Sequence, residues 1–352
     1  MFSNKLSAAI RACLSSHTPF AVVLPPLDDS DPLFLCDNGD ADSEPRSQIR
    51  FFATDFAMPF TSATVIRDIL TVDQAAQLLP ADTSYNNLKP LTTDRNSYLE
   101  SVSAVIARLR SEGGKTVIAR TIGAEAQVDI VSAAAGYFDD NPAAFRCLYY
   151  TPKSGCWLIA SPELLLSADK QTMRYETFSL AGTRRHIEGE EDAPWDDKNI
   201  DEQEIVTRYI NYTLDRGDCP PDSIRSFTKV ANRVEHLCTI FGGKLDSMSQ
   251  YERLLDMLSP TPALAGFPRE TAIAEICRVE QTPRALYGGY VALETPEAIQ
   301  AWVAIRCCRF DNGGYTIFTG SGITPHSSAE DEWEETKLKA SALLAIIERS
   351  TP

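Results

Sequence analysis

The sequence predicts an α+β fold with largely antiparallel sheets, and three observations lead to this class. Several segments repeat apolar residues at helical spacing, shorter apolar runs beside glycine or proline turns are typical of paired strands, and the strict strand–helix alternation of a doubly wound fold is missing. The 352 residues are enough for a substantial core, and we expect one large domain over residues 1–352.

Short local patterns predict the elements at the start of the chain. Residues 6–14 indicate an amphipathic first helix that leads into an apolar strand at 20–24. The segments 26–48 and 80–97 are rich in Asp, Ser, Pro and Asn, which indicates surface loops.

The pattern is more regular from residue 98 onwards. Apolar residues recur at helical spacing over 98–111, Gly113 and Gly114 end that pattern, and an apolar strand is predicted at 115–120. Further strands are predicted at 145–150, 156–160, 290–293, 301–309 and 315–319, and further helices at about 197–215, 246–258, 269–279 and 328–349.

The charge balance argues against a nucleic-acid partner. Lys and Arg total 33 against 49 Asp and Glu, which gives a net charge of −16 and would repel a phosphate backbone over most of the surface. A small anionic ligand would instead need a few local basic residues or a divalent cation. Each basic residue in a predicted pocket is therefore informative.

Cysteine usage indicates a reducing, cytoplasmic setting. The nine cysteines are odd in number, scattered and mostly set in apolar surroundings, so we expect reduced, buried thiols. With no CxxC pair and only four histidines, a zinc site is not expected, and any metal should have oxygen ligands. No apolar run approaches the length of a membrane span, and we expect no signal peptide and no membrane partner.

Two glycine-containing segments are candidate ligand contacts. The triplet Gly114-Lys115-Thr116 is not a phosphate-binding loop, because Leu109 stands where that motif requires glycine. Lys115 therefore begins an apolar strand, and the alternative is a lysine at a sheet end that reaches solvent. Residues 320–322, Gly-Ser-Gly, are predicted to form a glycine turn after the strand at 315–319, where the backbone could approach a ligand.

Carboxylates on two predicted helices face inward. Glu202 lies at the centre of an apolar helix face, and Glu332, Glu335 and Lys339 share the face that carries the apolar residues of the last helix. Such an arrangement favours a cation such as Mg²⁺ held by oxygen ligands between the helices. The alternative for the last helix is favourable charge in its first turn, with Lys339 as an i+4 partner of Glu335.

Two further charged residues lie in apolar surroundings. Glu163 stands in a turn between two apolar runs, where burial would raise its pKa and make it a proton donor, although a turn-capping role is the alternative. Arg306 lies in the predicted strand 301–309 with apolar neighbours on both sides. An unpaired guanidinium is costly there, so it needs a structural or a substrate carboxylate.

Ten segments in order resemble the chorismate-utilising enzymes, the family of anthranilate, aminodeoxychorismate, salicylate and isochorismate synthases. The resemblance runs over residues 114–348, and residues 1–100 form a divergent N-terminal part without such motifs. The segments are KTVIAR at 115–120, SPE at 161–163, LAGTRR at 180–185, EQEIV at 202–206, VEHL at 234–237, PTPALAGFP at 260–268, YGG at 287–289, IRC at 305–307, GSGI at 320–323 and EWEETKLK at 332–339.

The resemblance implies a layered α/β/β/α sandwich and a chemistry. The form of segment 260–268 and the Lys115 segment are similar to isochorismate synthases. By this resemblance Lys115 activates a water that attacks C2 of chorismate, and Glu163 donates a proton to the departing C4 hydroxyl. Mg²⁺ is the implied cofactor, with no organic cofactor, and isochorismate would feed menaquinone, siderophore or salicylate synthesis.

The resemblance also implies the ligand contacts. Glu202 and Glu335 would bind Mg²⁺ with Glu332 nearby, Arg306 and the backbone of 320–322 would take a substrate carboxylate, and Lys339 would offset charge beside the metal. For His236 core packing is the alternative to a pocket role. The predicted substrate-binding residues are Gly182, Thr183, His236, Ala263, Arg306, Gly320, Ser321, Gly322 and Lys339.

Three positions depart from the family pattern and three other functions stay open. Gln203, Ser259 and Ala285 stand where the family often has His, His and Gly, which affects pocket shape rather than the proposed catalytic groups. The alternatives are a salicylate synthase, an anthranilate- or aminodeoxychorismate-type enzyme that needs ammonia, and a non-catalytic acidic interaction protein. We expect a monomer without a glutaminase partner.

Overall fold

The computed structural model describes residues 2–81, 88–187, 193–231, 234–311 and 313–352. Within these ranges the side chains at positions 183, 185, 198, 231 and 234 lie outside the description. None of the helices in the described ranges is both long and apolar enough to cross a membrane.

The described ranges form two eight-stranded sheets whose paired neighbours are antiparallel. The strands are β1 Phe20–Leu24, β2 Leu33–Cys36, β3 Arg50–Thr54, β4 Thr64–Arg67, β5 Lys115–Glu125, β6 Phe145–Thr151, β7 Gly155–Ser161, β8 Leu164–Asp169, β9 Arg174–Arg185, β10 Ser223–Ala231, β11 Val234–Lys244, β12 Gly266–Phe267, β13 Tyr290–Glu294, β14 Ala298–Val303, β15 Cys307–Asp311 and β16 Gly314–Ile323. The first sheet has the order β12-β5-β16-β15-β7-β6-β1-β2 and the second β10-β11-β9-β8-β14-β13-β3-β4.

Helices cover the outer faces of the two sheets. They are α1 Asn4–Ser16, α2 Val72–Ala75, α3 Arg95–Glu112, α4 Ile130–Asp140, α5 Asp197–Arg216, α6 Met248–Leu258, α7 Arg269–Val279 and α8 Ala329–Arg349, with a 3₁₀ turn at Phe60–Ser62. Side-chain oxygens of Asp94, Asp196 and Ser247 accept from the first-turn amides of α3, α5 and α6, which satisfies donors that a helix start leaves unpaired.

The core lies in layers that confirm the predicted α/β/β/α arrangement. The inner faces of the two sheets pack on each other, and Phe145 of the first sheet stacks on Trp302 of the second with ring centroids 4.1 Å apart. A second apolar cluster joins the outer face of the first sheet to α1, α4 and α8. Helices α5 and α6 pack on β9 and β8 of the second sheet. Strands β6 and β7 are buried along their whole length because both of their faces are covered.

Three predicted elements differ from the structure. The strand expected at 301–309 is wrong: β14 and β15 belong to different sheets, and residues 304–306 carry the chain between them with Arg306 at φ 49°. The segment 26–48 is not all loop, since it contains β2. The glycine turn expected at 320–322 lies inside β16, so its backbone pairs in the sheet.

The pattern also missed several elements. Helix α4 was not predicted. Strands β8, β9, β10 and β11 were not predicted either. Part of the predicted loop 80–97 lies outside the described residues. Eight of the nine cysteines are buried, as predicted, whereas Cys277 is exposed.

Two crossings between the sheets lie side by side and set the position of the site. The chain leaves β7 and enters β8 through Pro162 and Glu163, and it returns from β14 to β15 through residues 304–306. The Val303 amide donates to the Glu163 carbonyl at 3.1 Å, and the Ala160 amide donates to the Arg306 carbonyl at 3.3 Å. These backbone bonds hold Glu163 and Arg306 at one edge of the inter-sheet core.

Candidate active site

Lys115 is buried at the first position of β5. Its side chain is 1% exposed, and its Nζ donates to Oε1 of Glu202 on α5 at 2.6 Å. Gly322 of β16 leaves the space for this pair, because a Cβ atom there would lie 2.7 Å from Lys115 Cε and 3.1 Å from Glu202 Oε1. The alternative of a lysine that reaches solvent is therefore wrong.

The segment 260–268 fixes the start of β5. The Val117 amide donates to the Ala265 carbonyl at 2.9 Å, and Gly266 pairs with Thr116. Gly266 has φ +125°, and a Cβ atom there would lie 2.1 Å from the Lys115 carbonyl oxygen, so only glycine allows this approach. Ala263 lies in the turn before Leu264 and is partly buried against the inter-sheet core.

Glu163 is a buried carboxyl group at the first crossing, with 4% of its surface exposed. Burial raises its pKa from 4.5 to about 7, although the charges of Lys229, Lys115 and Arg306 oppose that rise. Desolvation disfavours the carboxylate, so a substantial fraction of Glu163 keeps its proton near neutral pH. Burial and a raised pKa are the properties that a proton donor needs, and the role itself stays a prediction.

Arg306 presents a cation at the second crossing. Burial lowers the pKa of its guanidinium, and the nearby Tyr137 and Glu163 act in the opposite direction. Its carbonyl accepts from the Tyr137 hydroxyl at 2.9 Å, which anchors the backbone. Within the described ranges the guanidinium makes no hydrogen bond or ion pair, so it is placed to receive an anion.

His236 of β11 lies among the same charges. Burial and the charges of Arg306, Lys339 and Lys229 lower its pKa from 6.5 to about 4, while a hydrogen bond to the Gly182 backbone raises it. The imidazole is therefore neutral at physiological pH. Gly182 has φ +67° and lets α5 approach closely, since a Cβ atom there would lie 2.9 Å from the Asn199 carbonyl oxygen. The backbone of Thr183 pairs with His236, and its side chain lies outside the described residues.

The residues 320–322 present their two glycines to the site and turn the serine away. A Cβ atom at Gly320 would lie 2.9 Å from the Tyr287 hydroxyl, while Gly322 faces Lys115 and Glu202. Ser321 points to the opposite face and hydrogen-bonds the Tyr98 hydroxyl at 3.0 Å. The Ser321 side chain therefore belongs to the helix layer, and only its backbone belongs to the strand beside the site.

The predicted metal ligands approach β16 from two helices. Lys339 of α8 bonds Glu335 at 2.7 Å and the Gly320 carbonyl at 3.1 Å, whereas Glu202 of α5 lies beside Gly322. Two residues of a strand span about 7 Å, so both carboxylates border one short stretch of backbone. Glu332 is 2% exposed, whereas the Glu335 side chain is 42% exposed.

The carboxylate donor set suits Mg²⁺ in its chemistry, because Mg²⁺ takes oxygen ligands. The described ranges contain no cluster of three or more His, Cys, Asp or Glu placed to hold a metal ion. Glu202 and Glu335 each bind a lysine instead. A metal at this position would therefore have to take both carboxylates from Lys115 and Lys339.

Sequence reasoning missed Lys229 of β10. Its Nζ donates to the Pro162 carbonyl at 3.1 Å and lies 5.2 Å from the centroid of the Phe178 ring. No motif surrounds Lys229, and its position depends on the pairing of β10 with β11. With Lys115, Arg306 and Lys339 it gathers four cations in a chain of net charge −16.

A known protein family matches most of the chain. The family described as chorismate binding enzyme matches residues 56–348. The chain belongs to this family. The match confirms the resemblance seen in the ten segments and extends it towards residue 56. Several of the ten segments lie at the sheet crossings, on β5 and β16, and on the helices α5 and α8.

Curated relatives include both isochorismate and anthranilate synthases. Isochorismate synthase EntC of Escherichia coli K12 is 33% identical over 220 residues, 58% of this chain and 54% of that protein. The chloroplastic isochorismate synthase of Catharanthus roseus is 26% identical over 298 residues, 80% of this chain and 51% of that protein. Anthranilate synthase component 1 of Bacillus pumilus is 34% identical over 200 residues, 54% of this chain and 39% of that protein.

Solved structures show the same fold. The menaquinone-specific isochorismate synthase MenF of Escherichia coli superimposes with a TM-score of 0.76 at 19% identity, covering 98% of this chain and 91% of that chain. Component I of anthranilate synthase from Streptococcus pneumoniae gives a TM-score of 0.65 at 15% identity. The isochorismate synthases of Escherichia coli K12 and Catharanthus roseus are aligned over only about half of their length, 54% and 51%.

Proposed function

We propose that the chain is an isochorismate synthase that converts chorismate to isochorismate with Mg²⁺ as its cofactor. One observation carries this proposal: Lys115 and Glu163 are both buried, and the nearby charges of Lys115 and Arg306 act on the pKa of Glu163. The residues proposed as base, acid and anion-binding cation thus lie in one region. The names of the relatives EntC and MenF support the same activity.

The two proton-transfer roles follow from the residue types. Lys115, in its neutral form, takes a proton from the water whose oxygen forms a bond to C2 of chorismate. The ring double bond shifts and the C–O bond at C4 breaks. Glu163, which burial keeps partly protonated, gives its proton to this leaving hydroxyl, which departs as water.

Substrate carboxylates are held by the cations of the site. Arg306 offers a guanidinium without a described partner, and the glycines at 320 and 322 allow the substrate to approach the backbone of β16. Glu202 and Glu335 would hold Mg²⁺, which supplies positive charge for the ring carboxylate when bound. His236 lines the pocket in its neutral form.

Two other products are the competing candidates. A salicylate synthase would use the same framework and then eliminate pyruvate. An anthranilate-type enzyme would add ammonia, and the 34% identity to anthranilate synthase component 1 of Bacillus pumilus is the observation that keeps it in view. The form of segment 260–268 favours isochorismate synthase over the anthranilate type, and product analysis separates it from a salicylate synthase. A non-catalytic interaction protein would need neither a buried Lys115 nor a buried Glu163.

The proposal includes the setting of the enzyme. We propose that it acts as a cytoplasmic monomer with water as the nucleophile, so that it needs neither a glutaminase partner nor an organic cofactor. Isochorismate would then feed the synthesis of menaquinone, a siderophore or salicylate.

Product analysis tests this function. The purified chain is incubated with chorismate and Mg²⁺, with and without ammonium, and the products are separated by chromatography. We expect isochorismate, no dependence on ammonium, and loss of turnover in excess EDTA. Salicylate plus pyruvate, anthranilate, or full activity in EDTA would contradict the assignment.

A further inference from the structure

Lys229 reaches from the edge strand β10 to the crossing that carries Glu163. Its Nζ donates to the carbonyl of Pro162, the residue before Glu163, at 3.1 Å. The ammonium lies 5.2 Å from the Phe178 ring of β9, which supports the side chain by a cation–π contact. The side chain is therefore held on both sides.

Lys229 is the residue of β10 that points its charge into the site. Residues 225, 227 and 229 share one face of the strand, but Arg225 and Phe227 are exposed whereas Lys229 is partly buried. Thr228, on the other face, accepts a hydrogen bond from the Trp195 indole at 3.1 Å. Arg225 therefore provides a matched cation on the same strand and face, outside the site.

In the described part of the chain, the charged and titratable groups that face Glu163 come from four elements. They are Lys229 of β10, Lys115 of β5, Arg306 of the second crossing and the thiol of Cys238 on β11. Among the cations, Lys229 acts most strongly to lower the pKa of Glu163. Its influence on the carboxyl group thus exceeds that of the predicted base itself.

We propose that Lys229 is a positioning residue for Glu163. Lys229 holds Glu163 in place through the Pro162 carbonyl, and it presents a positive charge to the Glu163 carboxyl group. The role in catalysis rests on the proposed function. The effect of Lys229 on the titration of Glu163 does not rest on the proposed function, because it concerns only groups within the chain.

The first test follows Glu163 directly, without turnover. Glutamate side chains are labelled with ¹³C and titrated by NMR, and the Glu163 signal is the one lost in Glu163→Gln. Lys229→Met removes both the charge and the hydrogen bond, and Lys229→Gln keeps a donor but removes the charge. We expect the titration midpoint of Glu163 to rise by about 0.5 pH units or more in both Lys229 variants. Lys229→Arg and the control Arg225→Met should leave it near the parent value.

The second test uses the pH profile of kcat. Because the proton donor must carry its proton, kcat falls as pH rises through the midpoint of Glu163, and Lys229→Met should move this limb upward. Loss of the Pro162 contact should also lower kcat by roughly tenfold or more, since small displacements of a catalytic group are costly. Lys229→Arg should restore both properties.

The outcomes separate the two proposals. A parent protein that makes no isochorismate would contradict the proposed function, while the NMR titration would still decide the role of Lys229. An unchanged Glu163 midpoint in folded Lys229→Gln or Lys229→Met overturns the inference, as does an equal shift in Arg225→Met. If Lys229→Met fails to fold, the comparison of Lys229→Gln with Lys229→Arg decides.

Discussion

The buried Lys115 and the partly buried Glu202 form one ion pair, with Nζ and Oε1 2.6 Å apart. The sequence suggested a catalytic base and a metal ligand as separate residues, and the structure places them in direct contact. Lys115 is the donor in this pair, and an ammonium donor has no lone pair to accept a proton. Lys115 acts as a base only as the neutral amine, and a cation bound by Glu202 would take the place of the ammonium, so the two proposed roles depend on each other.

Replacing Lys115 with alanine should abolish the addition of water at C2. General acid–base groups contribute about 10²–10⁴-fold, and kcat should fall by that much. The affinity for chorismate should change far less, because Arg306 remains to hold a carboxylate. Single-turnover kinetics and calorimetric titration with chorismate measure the two quantities. Near-normal kcat with a large rise in KM would instead make Lys115 an anchor for the substrate.

The space beside Gly322 provides a sharper probe of the pair. Gly322→Ala would place a methyl group 2.7 Å from Lys115 Cε and 3.1 Å from Glu202 Oε1, and these atoms would have to move. We expect kcat to fall by about 10²-fold while the chain stays folded. Gly136→Ala on α4 is the matched control, because its nearest neighbour lies at an ordinary 3.7 Å. Equal activity in both variants would show that the pair has room to adjust.

Most of what the sequence predicted came from helical periodicity. The inward side chain of Glu202 and the burial of Glu332 follow from the spacing of apolar residues, which repeats within one helix. The apolar run at 301–309 looked continuous because both β14 and β15 are buried. Its break at residues 304–306 depends on the chain changing sheets, which local sequence does not record.

The part of the site that sequence could not supply depends on contacts between distant segments. Lys229 contacts Pro162 across 67 residues of chain, and neither residue has a local pattern that points to the other. The sequence also did not show that the Ser321 side chain points away from the site. The segment resembled a turn and not a strand with alternating faces.

Mg²⁺ binding should depend on both helices. Glu202→Gln and Glu335→Gln each remove a charged oxygen ligand, and we expect each to weaken Mg²⁺ binding by at least about tenfold. Calorimetric titration of Mg²⁺ in the presence of chorismate measures this. Glu334→Gln is the control, because Glu334 lies on the same helix but is exposed and bonds Lys337 at 2.8 Å. If all three variants bind the metal as tightly as the parent, the two helices do not share a metal site.

Glu163→Gln keeps the shape of the side chain but removes its proton donor. We expect kcat to fall by about 10²–10⁴-fold, with chorismate affinity little changed. In the parent, activity should decrease as pH rises through about 7, where Glu163 loses its proton. This alkaline limb of the kcat profile should be absent from the residual activity of the variant. A limb that survives in Glu163→Gln would belong to another group.

The same substitution should change stability in a pH-dependent direction. The pKa of Glu163 is raised from 4.5 to about 7 in the folded chain, so between these values the folded state binds more protons than the unfolded state. The free energy of unfolding therefore falls as pH rises through this window, by up to about 3 kcal/mol in total.

Glutamine has no proton to lose, so Glu163→Gln should match the parent near pH 4 and be more stable at pH 8. Urea unfolding at both pH values measures the difference, with Glu334→Gln as an exposed control. The pKa of His236, lowered to about 4, affects parent and variant alike and cancels in the comparison. A variant that is less stable than the parent at pH 8 would show that the Glu163 carboxylate is stabilised by its surrounding cations, and its role as a neutral proton donor would be lost.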